Sequence, residues 1–162
     1  MRKQVLIVPL LVVVTCLALL APSASALKKP RLFTLLEVER STQPLVGDAN
    51  RPPEGGDQFL ATNDLYRWTG KRGIHVGHDR VLQTFIHGFG PKFSHRALAL
   101  FEAQVYLPDG TLFGEGYGEL QPNGLTTFNV PVVGGTGVYS NARGFVRVEA
   151  GQRTLLQFNL SP

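Results

Sequence analysis

One stretch of the sequence decides the fold: ALALFEAQVYLPDGTLFGEGYGEL, at residues 97–120. Both halves are rich in residues that favour extended chain, and the Pro-Asp-Gly sequence at 108–110 is a typical hairpin turn. In the second half, glycines at 114, 116 and 118 fall on one face of the predicted strand. Alternating glycines let a sheet curl sharply or let a large group pack close. The stretch therefore predicts two antiparallel strands of a strongly curved sheet.

The first half of this stretch, residues 97–107, is apolar on both faces of its predicted strand. Each face should therefore be covered, since exposed apolar area is unfavourable in water. In a barrel, one face would line the interior and the other would be available for a contact between subunits. This pattern and the glycine face of the next strand predict an oligomer.

Further strands are predicted on both sides of the hairpin, and no convincing helical pattern occurs. Regularly spaced short strands indicate a sandwich or a barrel, and the curled glycine strand favours an all-β, eight-stranded antiparallel barrel. Residues 41–57, with three prolines and three glycines, are predicted to be a loop that acts as a lid or a flexible segment. The predicted strands are 33–40, 58–68, 77–86, 97–107, 111–120, 126–133, 145–150 and 154–160.

The beginning of the chain has the pattern of a secretory signal peptide. Arg2 and Lys3 precede an apolar run, and Ala24-Ser25-Ala26 is a typical cleavage site. An uncleaved anchor is the alternative, but the run is short for a membrane span of about 20 residues. We therefore expect residues 1–26 to be removed, leaving residues 27–162 as one secreted domain without a stable membrane anchor.

The composition excludes several classes of function. Cys16, the single cysteine, leaves with the signal peptide, so the mature chain has no disulfide and no thiol nucleophile. Its basic residues are scattered and nearly balanced by acidic ones, which argues against a nucleic-acid partner. No phosphate loop, dinucleotide fingerprint or Ser-His-Asp spacing is present, and no cofactor is expected. His75 and His78 lie three residues apart, so they should point to opposite faces of a strand unless a bulge intervenes, and no metal site is predicted.

Two groups of residues connect the sequence with a known family. VVGGTGVYSNARGFV, at residues 132–146, resembles the GGTG-x-[FY]-x-x-A-[RK]-G signature of plant dirigent proteins. Upstream, GGD at 55–57, TNDLY at 62–66 and a glycine at 77 are similar to the GD…TN-x-LY…G order of allene oxide cyclases. The resemblance covers nearly the whole mature chain. It implies an eight-stranded antiparallel barrel, usually a homotrimer, with an apolar pocket that opens at one end. The glycines by themselves favour an architectural role, because they permit tight turns between strands.

The resemblance also places candidate residues. Glu37 falls where allene oxide cyclases have a glutamate inside the barrel, and a carboxyl group in an apolar pocket suits a proton donor or a stabiliser of a developing cation. Its alternative is a solvent-facing residue paired with Arg40. Asn63 matches the asparagine that helps those cyclases to hold an ordered water, and its alternative is a hydrogen bond to its own strand end.

Three further residues belong to the predicted site. Tyr117 stands near a tyrosine of the cyclases, although it shares a strand face with Glu115 and would lie outside in that register. Asp79 takes the position of the cyclases' pocket cysteine, which makes this pocket more acidic. Arg143 matches the motif arginine near the pocket rim of dirigents, and its alternative is a hydrogen bond that stabilises the turn.

Besides Asp79, two residues depart from the family patterns: Glu39 replaces an asparagine of the cyclases, and Val138 replaces an aspartate common in dirigents. Neither family activity is therefore expected to carry over intact. The leading hypothesis is a barrel that binds a small apolar molecule and guides or catalyses a redox-neutral cyclisation or coupling. The alternatives are a carrier without chemistry and a structural secreted protein.

Overall fold

The structure, a computed structural model, describes residues 29–90, 95–124 and 126–162, which form a closed barrel. Each strand pairs antiparallel with its neighbour in the chain, and the first strand pairs with the eighth to close the ring. The prediction of an all-β, eight-stranded antiparallel barrel is thus confirmed. The strands are β1 (Arg31–Val46), β2 (Gln58–Trp68), β3 (Arg72–His87), β4 (Ala97–Leu107), β5 (Gly110–Leu120), β6 (Thr126–Gly135), β7 (Arg143–Ala150) and β8 (Thr154–Ser161).

The predicted signal peptide, with Cys16, lies outside the described residues. Within the described ranges, no helix is long and apolar enough to cross a membrane.

Two strands are longer than predicted by more than two residues. β1 continues to Val46, through a segment that was expected to be loop because it contains Pro44. Beyond Glu37, β1 pairs with β2 but no longer with β8, and a proline is tolerated where a strand has a partner on one side only. β3 begins at Arg72, and a register shift near Tyr66 accommodates the extra residues. The loop therefore spans residues 47–57.

One end of the barrel is closed by the segment that carries the dirigent-like motif. Residues Gly137–Tyr139 form a short 3-10 turn, and the side chains of Tyr139 and Ala142 are buried in the core at this end. The backbone N–H of Val138 donates to the carbonyl oxygen of Asp109 at 2.9 Å, which fastens the turn to the β4–β5 hairpin. The motif thus has the architectural role that its glycines favour.

The opposite end is covered on one side by a second core and by the 47–57 loop. The aromatic rings of Phe59, Phe85 and Phe89 pack together there. Asp57, only 4% exposed, accepts hydrogen bonds from the Arg51 guanidinium at 2.8 and 3.0 Å. The backbone N–H of Glu54 also donates to the carboxylate of Asp57, and this bond lowers the pKa of Asp57 most. The hydrogen bonds from Arg51 lower it further. The ion pair therefore stabilises the fold of the loop itself, and backbone hydrogen bonds between Asp57 and Phe85 and between Pro53 and Phe89 hold the loop against the barrel end.

Candidate functional site

The site is a cavity of about 240 Å³ inside the barrel, between the two cores. This volume lies just below the range of about 300–1,000 Å³ that is common for ligand pockets, so the cavity is suited only to a small organic molecule. Inward-facing residues of all eight strands line it, and most of them are apolar because alternate positions of each strand face the interior. The polar lining residues on the first three strands are Glu37, Glu39, Thr42, Asn63, Asp79 and Gln83.

Three of these polar residues form one hydrogen-bonded cluster. Asn63 on β2 lies directly opposite Asp79 on β3 in the strand register. The side-chain Nδ2 of Asn63 donates to Oδ1 of Asp79 at 2.7 Å and also to Oε1 of Glu37 on β1. Both hydrogens of the amide are therefore used, and Asn63 holds the two carboxyl groups close together. Asn63 and Asp79 are 3% and 1% exposed, so the cluster lies well inside the wall.

The surroundings change the protonation of both carboxyl groups. Burial raises the pKa of Glu37 to about 8, with a further increase from the charge of Asp79 and a decrease from the Asn63 hydrogen bond. Glu37 keeps some accessible surface because it faces the cavity, but protein atoms surround its other sides and desolvation still dominates. Burial raises the pKa of Asp79 to about 6, which the Asn63 hydrogen bond partly offsets. Near pH 7, Glu37 is therefore largely protonated and Asp79 largely ionised.

This pair can do acid–base chemistry. A protonated Glu37 can give a proton to a bound molecule, and the adjacent carboxylate of Asp79 can stabilise the resulting positive charge or take up a proton. The same arrangement would be costly in a barrel that only held an apolar ligand, because buried polar and charged groups need compensating interactions.

The cavity opens at the end of the barrel opposite the 3-10 turn. The pairing of β1 with β8 stops here, at Glu37 and Thr154. The residues that line the cavity at this end include Glu39, Thr42, Thr126 and Thr154. Glu39 is exposed, and its carboxylate accepts a hydrogen bond from the Thr42 hydroxyl at 2.9 Å. The mouth is thus polar, while the interior beyond the three-residue cluster is apolar.

Two predicted site residues do not reach the cavity. Tyr117 lies on the outer face of β5 and is 61% exposed, so it is outside the pocket, as its shared face with Glu115 had suggested. Arg143 begins β7 at the closed end, where its Nη1 donates to the carbonyl oxygen of Ala142 at 2.8 Å. Arg143 is therefore a turn-stabilising donor rather than a residue of the pocket rim.

The two histidines considered for metal binding are both on the outer surface. A bulge in β3 places His75 opposite Tyr66 and His78 opposite Asp64, so the two histidines share one face instead of pointing apart. Their rings lie against different partners: His75 contacts Tyr66 edge-on, and His78 stacks on Tyr106. In the part of the chain that the structure describes, no group of three or more ligating side chains could hold a metal ion.

The sequence predicted an apolar pocket but did not identify the aromatic residues that form its wall. Phe101 on β4 and Phe128 on β6 line it, with ring centroids 4.7 Å apart and ring planes at 27°. The alternation of side chains along β4 could have predicted that Phe101 lies on the same strand face as Ala99 and Ala103. Which of the two faces of that strand points inward became clear only from the closed barrel.

Comparison with solved structures finds the same barrel in proteins of different activities. Pyocyanin demethylase matches over 81% of this chain and 100% of its own, with a TM-score of 0.62 and 23% identity. The exo-specific intermolecular Diels-Alderase AbnU matches over 81% and 96%, with a TM-score of 0.61 and 19% identity. The pterocarpan synthase dirigent protein PsPTS1 matches over 81% and 91%, with a TM-score of 0.57 and 12% identity.

The fold is that of the allene oxide cyclase and dirigent barrels. No protein-family model matches the sequence, and no curated protein matches it significantly. At these identities, the structural likeness concerns the fold, and functions vary widely on one fold. The proteins with this barrel nevertheless include enzymes that form rings and a dirigent protein.

Proposed function

We propose that this dirigent-type barrel binds a small, largely apolar molecule in its cavity and guides or catalyses a redox-neutral cyclisation or coupling. The observation that carries the proposal is the cluster of Glu37, Asn63 and Asp79 in an otherwise apolar cavity. The Diels-Alderases and the dirigent protein that share the barrel give independent support.

The proposed step uses one proton and no change of oxidation state. Glu37 gives its proton to a carbonyl or similar oxygen of the substrate, which makes the conjugated carbon system electron-poor. In a coupling, a hydroxyl oxygen bonds to the far carbon of that system while a C=C π bond opens; the O–H proton passes to Asp79, and the enol that forms returns to the carbonyl compound. In a cyclisation, a diene adds across the activated C=C bond, two π bonds are exchanged for two σ bonds, and the proton on the carbonyl oxygen returns to Glu37. All substrate atoms are kept in both cases. Exchange with water at the mouth restores the protonation of both carboxyl groups.

The proposal includes the setting of the protein. We expect the mature chain to act after export, because of the signal-peptide pattern in residues 1–26. A homotrimer stays a prediction, and the exposed apolar side chains of Tyr117 and Val133 on the outer face support it, since such groups favour contacts between subunits.

The experiment that tests this function measures product handedness as well as rate. The purified protein is incubated with a linear polyene that carries a conjugated carbonyl, and separately with a phenolic quinone methide. Chiral chromatography then measures the enantiomeric excess of each cyclised or coupled product. A barrel that guides the reaction yields an enantiomerically enriched product, faster than buffer alone. A racemic product at the buffer rate, with the substrate bound, would instead support the carrier.

A further inference from the structure

Gly118 on β5 lies behind the ring of Phe128, which is part of the aromatic wall of the cavity. Phe128 lies on β6, which stands across the ring from β2, the strand that carries Asn63 of the acidic cluster. The ring of Phe128 therefore forms part of the wall that a ligand would touch on the side away from Asn63. Gly118 faces inward on β5 and is buried.

The ring of Phe128 lies directly on the backbone of Gly118. A Cβ atom at Gly118 would be 2.7 Å from Cδ2 of Phe128 and 2.8 Å from its Cε2 and Cγ atoms. Carbon atoms pack at about 3.5–4.0 Å, so even alanine would force the ring to move. Because the Cβ atom would point into the barrel, it would press the ring away from the wall, toward the cavity that the ring lines.

Backbone conformation does not explain this glycine. Several other glycines of the barrel have left-handed backbone angles, such as Gly137 with φ at 60°, whereas Gly118 does not. The atoms that a side chain would meet belong to a phenyl ring and not to backbone. An alanine at 118 therefore requires the whole ring of Phe128, including its Cγ atom, to shift at the expense of cavity space, and that is a different role from that of a turn glycine.

We infer that Gly118 is a specificity-determining residue, whose missing side chain lets Phe128 lie back against the wall and sets the width of the cavity. A larger residue there would move the ring into the cavity and exclude wide ligands before narrow ones. The inference rests on the proposed function only in taking the cavity as the ligand site.

The test compares Gly118→Ala with the matched control Gly134→Ala, where the nearest atom to the added Cβ would be 3.9 Å away. Two neutral probes differ in width: N-phenyl-1-naphthylamine is wide and indole is narrow. Affinity for each is measured by fluorescence titration and calorimetry. We expect Gly118→Ala to weaken the wide probe by about tenfold or more and indole by much less, as is typical when a pocket loses the space of about one methylene. The control should bind both probes as the wild type does.

A second variant and a crystal structure distinguish a narrowed cavity from a general loss of folding or binding. Gly118→Ala combined with Phe128→Ala should recover the wide probe, because alanine at 128 removes the Cδ2, Cε2 and Cγ atoms that the added methyl group would meet. The structure of Gly118→Ala should show the ring of Phe128 displaced into the cavity. Equal weakening of both probes, no recovery in the double variant, an undisplaced ring, or a wild type that binds neither probe would overturn the inference. None of these readouts needs turnover, so the width role can hold even if the proposed reaction fails.

Discussion

Glu37→Gln is expected to leave the barrel folded and to lower the rate of the cyclisation or coupling by about 10²-fold or more, the usual contribution of a positioned acid. Glutamine has nearly the same shape and keeps an Oε1 atom that can accept the hydrogen bond from Asn63. It cannot give up a proton, however. The loss should therefore appear in kcat while the affinity for an apolar ligand changes little. Steady-state rates on the substrate found by the chiral assay provide the measurement.

The matched control is Glu115→Gln, on the exposed outer face of β5. It makes the same change from a carboxyl group to an amide without touching the cavity, so its rate should stay near that of the wild type. If Glu37→Gln kept the full rate, or if both variants lost it equally, the acid role of Glu37 would be wrong.

Gly144→Ala is expected to damage folding severely, with a loss of about 4 kcal/mol or more in the free energy of unfolding. Gly144 has φ at 123°, a conformation that L residues rarely adopt. An added Cβ atom would lie 2.0 Å from the carbonyl oxygen of Asn159. That oxygen belongs to β8, which is fixed in the ladder with β7 opposite Gly144 and its neighbours, so it cannot move away cheaply.

Urea unfolding followed by circular dichroism measures this effect, with Gly134→Ala as the control because that position offers space for a methyl group. The control should unfold within about 0.5 kcal/mol of the wild type, as is usual for substitutions away from strained or packed positions. A Gly144→Ala protein as stable as the control would contradict the architectural role of the motif.

Alternation along the strands predicted much of the fold, because a barrel imposes period two on every strand. The glycines of β5 show this well: predicted to share a face and to admit close packing, they contact Val130, Pro131 and Phe128 of β6. Strand ends were harder to predict. Pro44 suggested a loop, whereas it is tolerated in β1 because that strand has lost its partner on one side.

The site could be predicted only in part, because its geometry depends on register between strands. The family resemblance singled out Glu37, Asn63 and Asp79, and the pairing of β2 with β3 brings the last two opposite each other. No local pattern states that register. The interpretation of Tyr117 was open for the same reason, since a one-residue shift moves a side chain from the pocket to the surface. Phe128 was missed because its contact with Gly118 joins residues of two different strands.

The proposed function depends on a Glu37 side chain that is protonated near neutral pH inside the cavity. Titration of its carboxyl group tests this directly. Carbon-13 NMR of protein labelled at the glutamate side-chain carboxyl follows each carboxyl group from pH 3 to pH 10, and Glu37→Gln assigns the resonance. We predict a pKa of about 8 for Glu37, against an ordinary value of 4.5. Because the folded state then holds a proton that the unfolded state releases, stability should fall as pH rises from about 4.5 to 8, and this slope should weaken in the variant. A Glu37 resonance that titrates near 4.5 would contradict the account.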